Sequence, residues 1–120
     1  MFQFMHESSG KLLALKVSGK LHHEDYEQLT PYLERLIQQY GTLRIFCHLE
    51  DFKGWDPRAL CDDLRLGVRY RKNFERCAIV GQQQWQAWLT RFGGWMMEGE
   101  ARFFQENEMD AAWNWLKEEK

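Results

Sequence analysis

Apolar and polar positions alternate from the start of the chain, where Phe2, Phe4 and His6 interleave with Gln3, Met5 and Glu7. After Ser8-Ser9-Gly10-Lys11 a second run covers Leu12 to Ser18, and Gly19 closes it. A period of two on either side of turn residues predicts two strands joined as an antiparallel hairpin. The spacing then changes to three and four. Tyr26, Leu29, Leu33, Leu36, Ile37 and Tyr40 share one face of a predicted helix, opened by Glu24 and Asp25 and ended by Gly41. Pro31 removes one backbone donor inside that pattern, which predicts a kink or a short turn ahead of the main helix. Leu43 to Leu49 is almost continuously apolar, the pattern of a central strand covered on both faces.

Asp56-Pro57 supplies an N-cap followed by proline at the first helical position, and predicts a helix running to about Asn73. Cys77 to Val80 reads as a short buried strand ending at Gly81. Trp85, Trp88, Leu89, Phe92, Trp95 and Met96 then recur at helical spacing and predict an amphipathic helix with an aromatic face, weakened at Gly93-Gly94. Ala101 to Gln105 reads as a strand. Asn107 with Asp110 resembles a cap for a last helix that turns Met109, Ala112, Trp113 and Leu116 inward. The order ββαβαβαβα predicts an α/β fold: a single mixed β-sheet of about five strands with about four helices, since parallel neighbours need crossover connections. No linker or repeat divides residues 1–120, so one domain is expected.

Charge and composition remove several function classes. Sixteen basic residues against 18 acidic ones give a net charge of −2, without the cationic footprint that nucleic acid requires. The first residues lack a basic leader followed by an apolar run, and no stretch approaches a membrane span. A cytoplasmic protein is expected, with transient contact to a membrane surface at most. Cys47, Cys61 and Cys77 are irregularly spaced, which suggests neither a disulfide framework nor a zinc site. Six tryptophans in 120 residues are the unusual feature. Each buried aromatic removes about 150 to 250 Å² from water, so the rings serve either dense packing or a guest.

Three segments resemble a known family in order: LEDFKGWDPRALCDD from Leu49, FERCAIVGQQQWQAWL from Phe74, and EARFFQENEMDAAWNWL from Glu100. Together they resemble the SpoIIAA-like family, whose members share a fold with STAS domains and are related in shape to CRAL-TRIO lipid carriers. The resemblance implies the same mixed-sheet fold. STAS regulators of anti-sigma factors carry a phosphorylatable serine at the start of the helix after the third strand. Here that region reads Trp55-Asp56-Pro57-Arg58-Ala59-Leu60, without serine or threonine, so the phospho-switch does not carry over.

The remaining candidates for chemistry are sparse. His22-His23 are the only neighbouring histidines of four and would diverge on a helix, so no metal or cofactor is implied. Glu50-Asp51 and Asp62-Asp63 read as solvated acids, with Asp62 free to pair with Arg65. No nucleophile elbow or phosphate loop is present, and the expectation is a protein without enzymatic activity, unless His48, Glu50, Asp51 and Arg76 converge in a cleft. Arg65, Arg69, Arg71, Lys72 and Arg76 form the one basic cluster, either a solvated face or a contact for headgroups or an acidic partner. The aromatic stripe fits a core face or the wall of a pocket. Its pocket reading joins Trp55, Leu60 and Leu64 to Trp85, Trp88, Leu89, Phe92, Trp95 and Met96 as ligand-binding residues. The sequence thus points to a non-enzymatic carrier or sensor of a nonpolar small molecule. The alternative is a STAS-like regulatory module that binds a protein partner or a second copy of itself, through an apolar patch.

Overall fold

The structure, a computed structural model, describes residues 1–6, 8–82, 84–85 and 100–118. Strands β1 (Phe2–Phe4) and β2 (Leu12–Leu21) lead into helix α1 (His23–Tyr40) and strand β3 (Leu43–Trp55). Helix α2 (Pro57–Arg69), strands β4 (Phe74–Gly81) and β5 (Glu100–Gln105), a 3₁₀ turn at Glu106–Glu108 and helix α3 (Met109–Lys117) follow. The five strands form one sheet in the order β1-β2-β3-β4-β5. β1 pairs antiparallel with β2, Phe2 opposite Val17, and the remaining neighbours are parallel. Three α-helices are therefore seen among the described residues. The further helix expected on the tryptophan stripe lies outside them, apart from helical Gln84 and Trp85.

The sheet advances by one neighbour at each parallel step, and right-handed crossovers then place α1 and α2 on the same face. The side chains agree. Leu13 and Leu15 of β2 and Leu43 of β3 pack with Leu29 and Leu33 of α1, and Val17 and Leu49 pack with Tyr26 and Ala59. The alternate residues Ala14, Phe46, Ala78 and Val80 point to the other face. There α3 covers them with Ala112, Trp115 and Leu116, and Trp113 stacks on Phe46 at 4.0 Å between centroids.

Several expectations change in detail. β2 does not stop at Gly19; it continues to Leu21 through a register shift, with Gly19 at φ 64°. β3 runs past Leu49 to Trp55, with Asp51 at φ 53° and Gly54 at φ 100°, so the expected strand continues into a bulged end. α1 is unbroken across Pro31. α2 ends at Arg69, four residues before Asn73. The last helix is preceded by a 3₁₀ turn, and the side chain of Glu108 caps the Gln105 N–H at 2.8 Å, where Asn107 and Asp110 were expected to cap.

Arg76 also departs from expectation, since it belongs to no exposed basic cluster. It points under α3 and is 4% exposed. Its guanidinium donates to the Trp115 carbonyl at 2.5 Å, approaches Glu118 at 3.7 Å and lies 4.9 Å over the Trp115 ring. Arg44 donates to the carbonyls of Leu116 and Glu118 at 2.7 and 2.6 Å, so two strand arginines tie down the carbonyl end of α3. Arg65, Arg69, Arg71 and Lys72 remain exposed.

Candidate functional site

α2 is fixed at its start by Asp56, whose side chain accepts from the Ala59 N–H at 2.7 Å, with Pro57 in the first turn. The Ala59 N–H, and then His22 at 2.7 Å, hold the Asp56 carboxyl below its usual range. Helical spacing turns Ala59, Asp63 and Leu66 toward the sheet as one stripe, with Leu60, Leu64 and Gly67 beside it. One member of that apolar face is an acid.

Between this face of α2, α1 and the sheet lies a cavity of about 220 Å³. Its described walls come from Val17 and Leu21 of β2, Tyr26 and Leu29 of α1, Ile45, Cys47, Leu49 and Phe52 of β3, and Cys77 and Ile79 of β4. Phe2, Leu33 and Phe74 extend it at the α1 side. Trp55, Leu60, Leu64 and Trp85, four of the residues expected to bind a ligand, line it. Trp88, Leu89, Phe92, Trp95 and Met96 lie outside the described residues. At one end Phe52, Trp55 and Trp85 form a ring cluster with centroids 4.8 to 6.1 Å apart. A side-chain carbon at Gly54 would meet the Trp85 ring at an ordinary contact distance of 3.5 Å, so glycine is favoured there by its φ of 100° and not by lack of space.

The polar groups in the wall are linked. The Trp55 indole N–H donates to the Tyr26 hydroxyl at 2.9 Å, and that hydroxyl donates to Asp63 Oδ1 at 2.9 Å. Burial pushes the Asp63 carboxyl up, partly offset by the Tyr26 hydrogen bond. Burial, followed by the neighbouring Asp63, pushes the Tyr26 phenol well above its ordinary value. A hydrogen bond with Cys77, followed by burial, keeps the Cys47 thiol protonated. Cys47 therefore lines the wall as a neutral thiol, without the thiolate character that nucleophilic or metal chemistry needs.

Asp63 was missed as a site residue because the adjacent pair Asp62-Asp63 reads as solvated. The two acids diverge. Asp62 accepts from or pairs with His23 at 2.5 Å, not Arg65, and Asp63 turns inward. The usable signal was position: Asp63 is four residues after Ala59 and three before Leu66, on the apolar face.

The residues named for an enzymatic cleft do not come together. His48 faces Glu106 at 3.5 Å, Glu50 pairs with Lys16 at 3.4 Å, and Arg76 is held under α3. Among the described residues no group of three or more His, Cys, Asp or Glu is arranged to hold a metal ion, and no helix is long and apolar enough to cross a membrane.

A mixed sheet with two helices on one face and a C-terminal helix on the other is the α/β architecture of STAS-type domains. The SpoIIAA-like family profile matches residues 12–117, and the chain belongs to that family. A solved relative, an uncharacterised Shewanella loihica protein of the DUF3478 family with a SpoIIAA-like fold, is 39% identical. The alignment covers 97% of this chain and 92% of that one, with a TM-score of 0.75. The anti-sigma factor antagonist SpoIIAA in its unphosphorylated form shares the fold at 16% identity and a TM-score of 0.59, over 92% of this chain and 96% of its own. No curated protein matches the sequence significantly.

Proposed function

We propose that this chain is a binding protein for a nonpolar small molecule, a carrier or sensor, and that the guest sits in the cavity under α1 and α2. One observation carries the reading: a void of about 220 Å³ with almost entirely hydrocarbon walls in a domain of 120 residues. The pocket is partly open to solvent, so water entering it meets walls that offer almost no hydrogen bonds. Displacing that water with an apolar guest is favourable by about 25 cal/mol per Å² of apolar surface covered.

The volume limits the guest. A cavity of roughly 150 Å³ takes benzene, so 220 Å³ accommodates about nine non-hydrogen atoms by proportion. Burying eight methylenes contributes about 6 kcal/mol, against association costs of at least about 4 kcal/mol. At most about 2 kcal/mol remains, so a flexible eight-carbon probe is expected to bind only weakly, and a tighter guest of this volume must be rigid or cyclic. Kinship in shape with CRAL-TRIO lipid carriers supports a guest of this class. The regulatory-module alternative draws on the fold alone, and the start of α2 carries no hydroxyl to phosphorylate.

The test is thermal unfolding with toluene or 1-octanol, monitored by tryptophan fluorescence, because Trp55 and Trp85 line the wall. A saturable rise in Tm with a change in emission is expected. Unchanged Tm and emission with both probes would overturn the reading.

A further inference from the structure

The cavity wall contains few polar groups, and their hydrogen-bonding capacity is unevenly used. Tyr26 spends its one proton on Asp63 and accepts from Trp55, whose single N–H is thereby used. Asp63 is different. Oδ1 accepts from Tyr26, and a carboxylate of two oxygens offers about four lone-pair sites. The acid is half-buried on the cavity side of α2 beside Leu60, Leu64 and Leu66 in the wall, and among the described residues no basic side chain lines the same cavity. A carboxylate buried without a countercharge is costly, and the upward push on its proton affinity records that cost.

Building on the cavity reading, we propose that Asp63 selects guests by their head group: an apolar body carrying one hydrogen-bond donor, an alcohol or an amine, is accepted, and a carboxylate is rejected. The hydroxyl of an alcohol donates to Asp63 as carboxylate and accepts from it as acid, so it is satisfied in either state. An ammonium donates and also supplies the missing countercharge. A fatty-acid carboxylate has no proton to give to Asp63 as carboxylate, and the two negative charges would face each other with no cation among the described wall residues. Tyr26 and Trp55 contribute by orientation. Their hydrogen bonds fix one carboxyl oxygen and leave the other to the guest.

The experiment compares 1-octanol, octylamine and octanoate at neutral pH by isothermal titration, with toluene as a probe lacking a polar head. Wild type, Asp63→Asn and Asp63→Leu are used, each checked for native circular dichroism. In wild type the alcohol and the amine are expected to bind at least about tenfold tighter than octanoate. Asp63→Asn retains an acceptor without charge, so it should keep the alcohol and weaken the amine by about tenfold or more. Asp63→Leu should remove the advantage of both over octanoate. Equal affinities for the three heads in wild type, or octanoate binding best, would overturn the selection while leaving the cavity reading in place, since toluene would still bind. Failure of all four probes to bind wild type would overturn both. If Asp63→Leu does not fold, the Asp63→Asn comparison decides: an amine as strongly held as in wild type refutes the proposal.

Discussion

Gly67 lies within α2 and is one of the residues that line the cavity, which makes it the position from which filling that space is tested. Gly67→Leu adds four carbons. At about 25 Å³ per carbon, the proportion that fits benzene in its cavity, this fills about 100 Å³ of the 220 Å³. Burying the leucine side chain against the hydrocarbon walls contributes about 1.5 to 3 kcal/mol. Replacing a helical glycine by a good helix former adds about 1 kcal/mol. Fixing the new side chain costs about 0.5 to 1 kcal/mol, which leaves a net gain of about 2 to 3 kcal/mol. For a domain of this size that is a rise in Tm of about 8 to 12 °C. Gly67→Ala is the control, since it carries the helix contribution with little filling. Urea unfolding of the two variants isolates the void: Gly67→Leu should exceed Gly67→Ala by at least about 1 kcal/mol and should lose 1-octanol binding. A Gly67→Leu protein less stable than Gly67→Ala, with binding retained, would refute the claim that space is held open beneath α2.

Other outcomes follow from the same contacts. Arg76→Ala leaves the Trp115 carbonyl unpaired and empties space under α3, and should destabilise by about 3 kcal/mol in urea unfolding. Gly81→Ala would bring a side-chain carbon to 3.1 Å from Leu49 Cβ, and is expected to cost about 1 to 3 kcal/mol in urea unfolding. Glu75 is held at about 2, chiefly by Lys11, with Thr42 and Arg44 also bonded to it. A lowered carboxylate contributes stability above its unfolded value, near 4.5, and loses it as pH falls from there toward 2. Glu75→Gln should flatten that part of the stability–pH curve, by about 1 to 2 kcal/mol after allowing for solvent screening.

The elements were legible wherever one physical rule dominated. Alternation in Leu12–Ser18, the apolar run Leu43–Leu49, helical spacing in Tyr26–Ile37, and the Asp56-Pro57 start each correspond to an element of the structure. The ends were less legible because tertiary pairing overrides local signals there. Gly19 reads as a stop, yet β2 and β3 pair beyond it by absorbing a register shift, at a positive φ that glycine tolerates. Arg76 reads as part of a basic run, but strand alternation aims it inward under a helix whose terminal carbonyl it satisfies. Trp55, Leu60, Leu64 and Trp85 line one cavity because aromatic and aliphatic spacing reports which face is covered. Asp63 escaped because residue type was weighed above position: an acid next to an acid suggests solvent, whereas its place in the helical stripe points inward.

The claim at the centre of this account is that hydrocarbon from outside the chain occupies the space beneath α1 and α2. Native mass spectrometry of protein purified without organic solvent tests it most directly, with Gly67→Leu run in parallel. The account predicts a noncovalent adduct on the wild-type chain, extractable into hexane and missing from Gly67→Leu. A wild-type protein that flies at its bare mass and yields an empty hexane extract would contradict it.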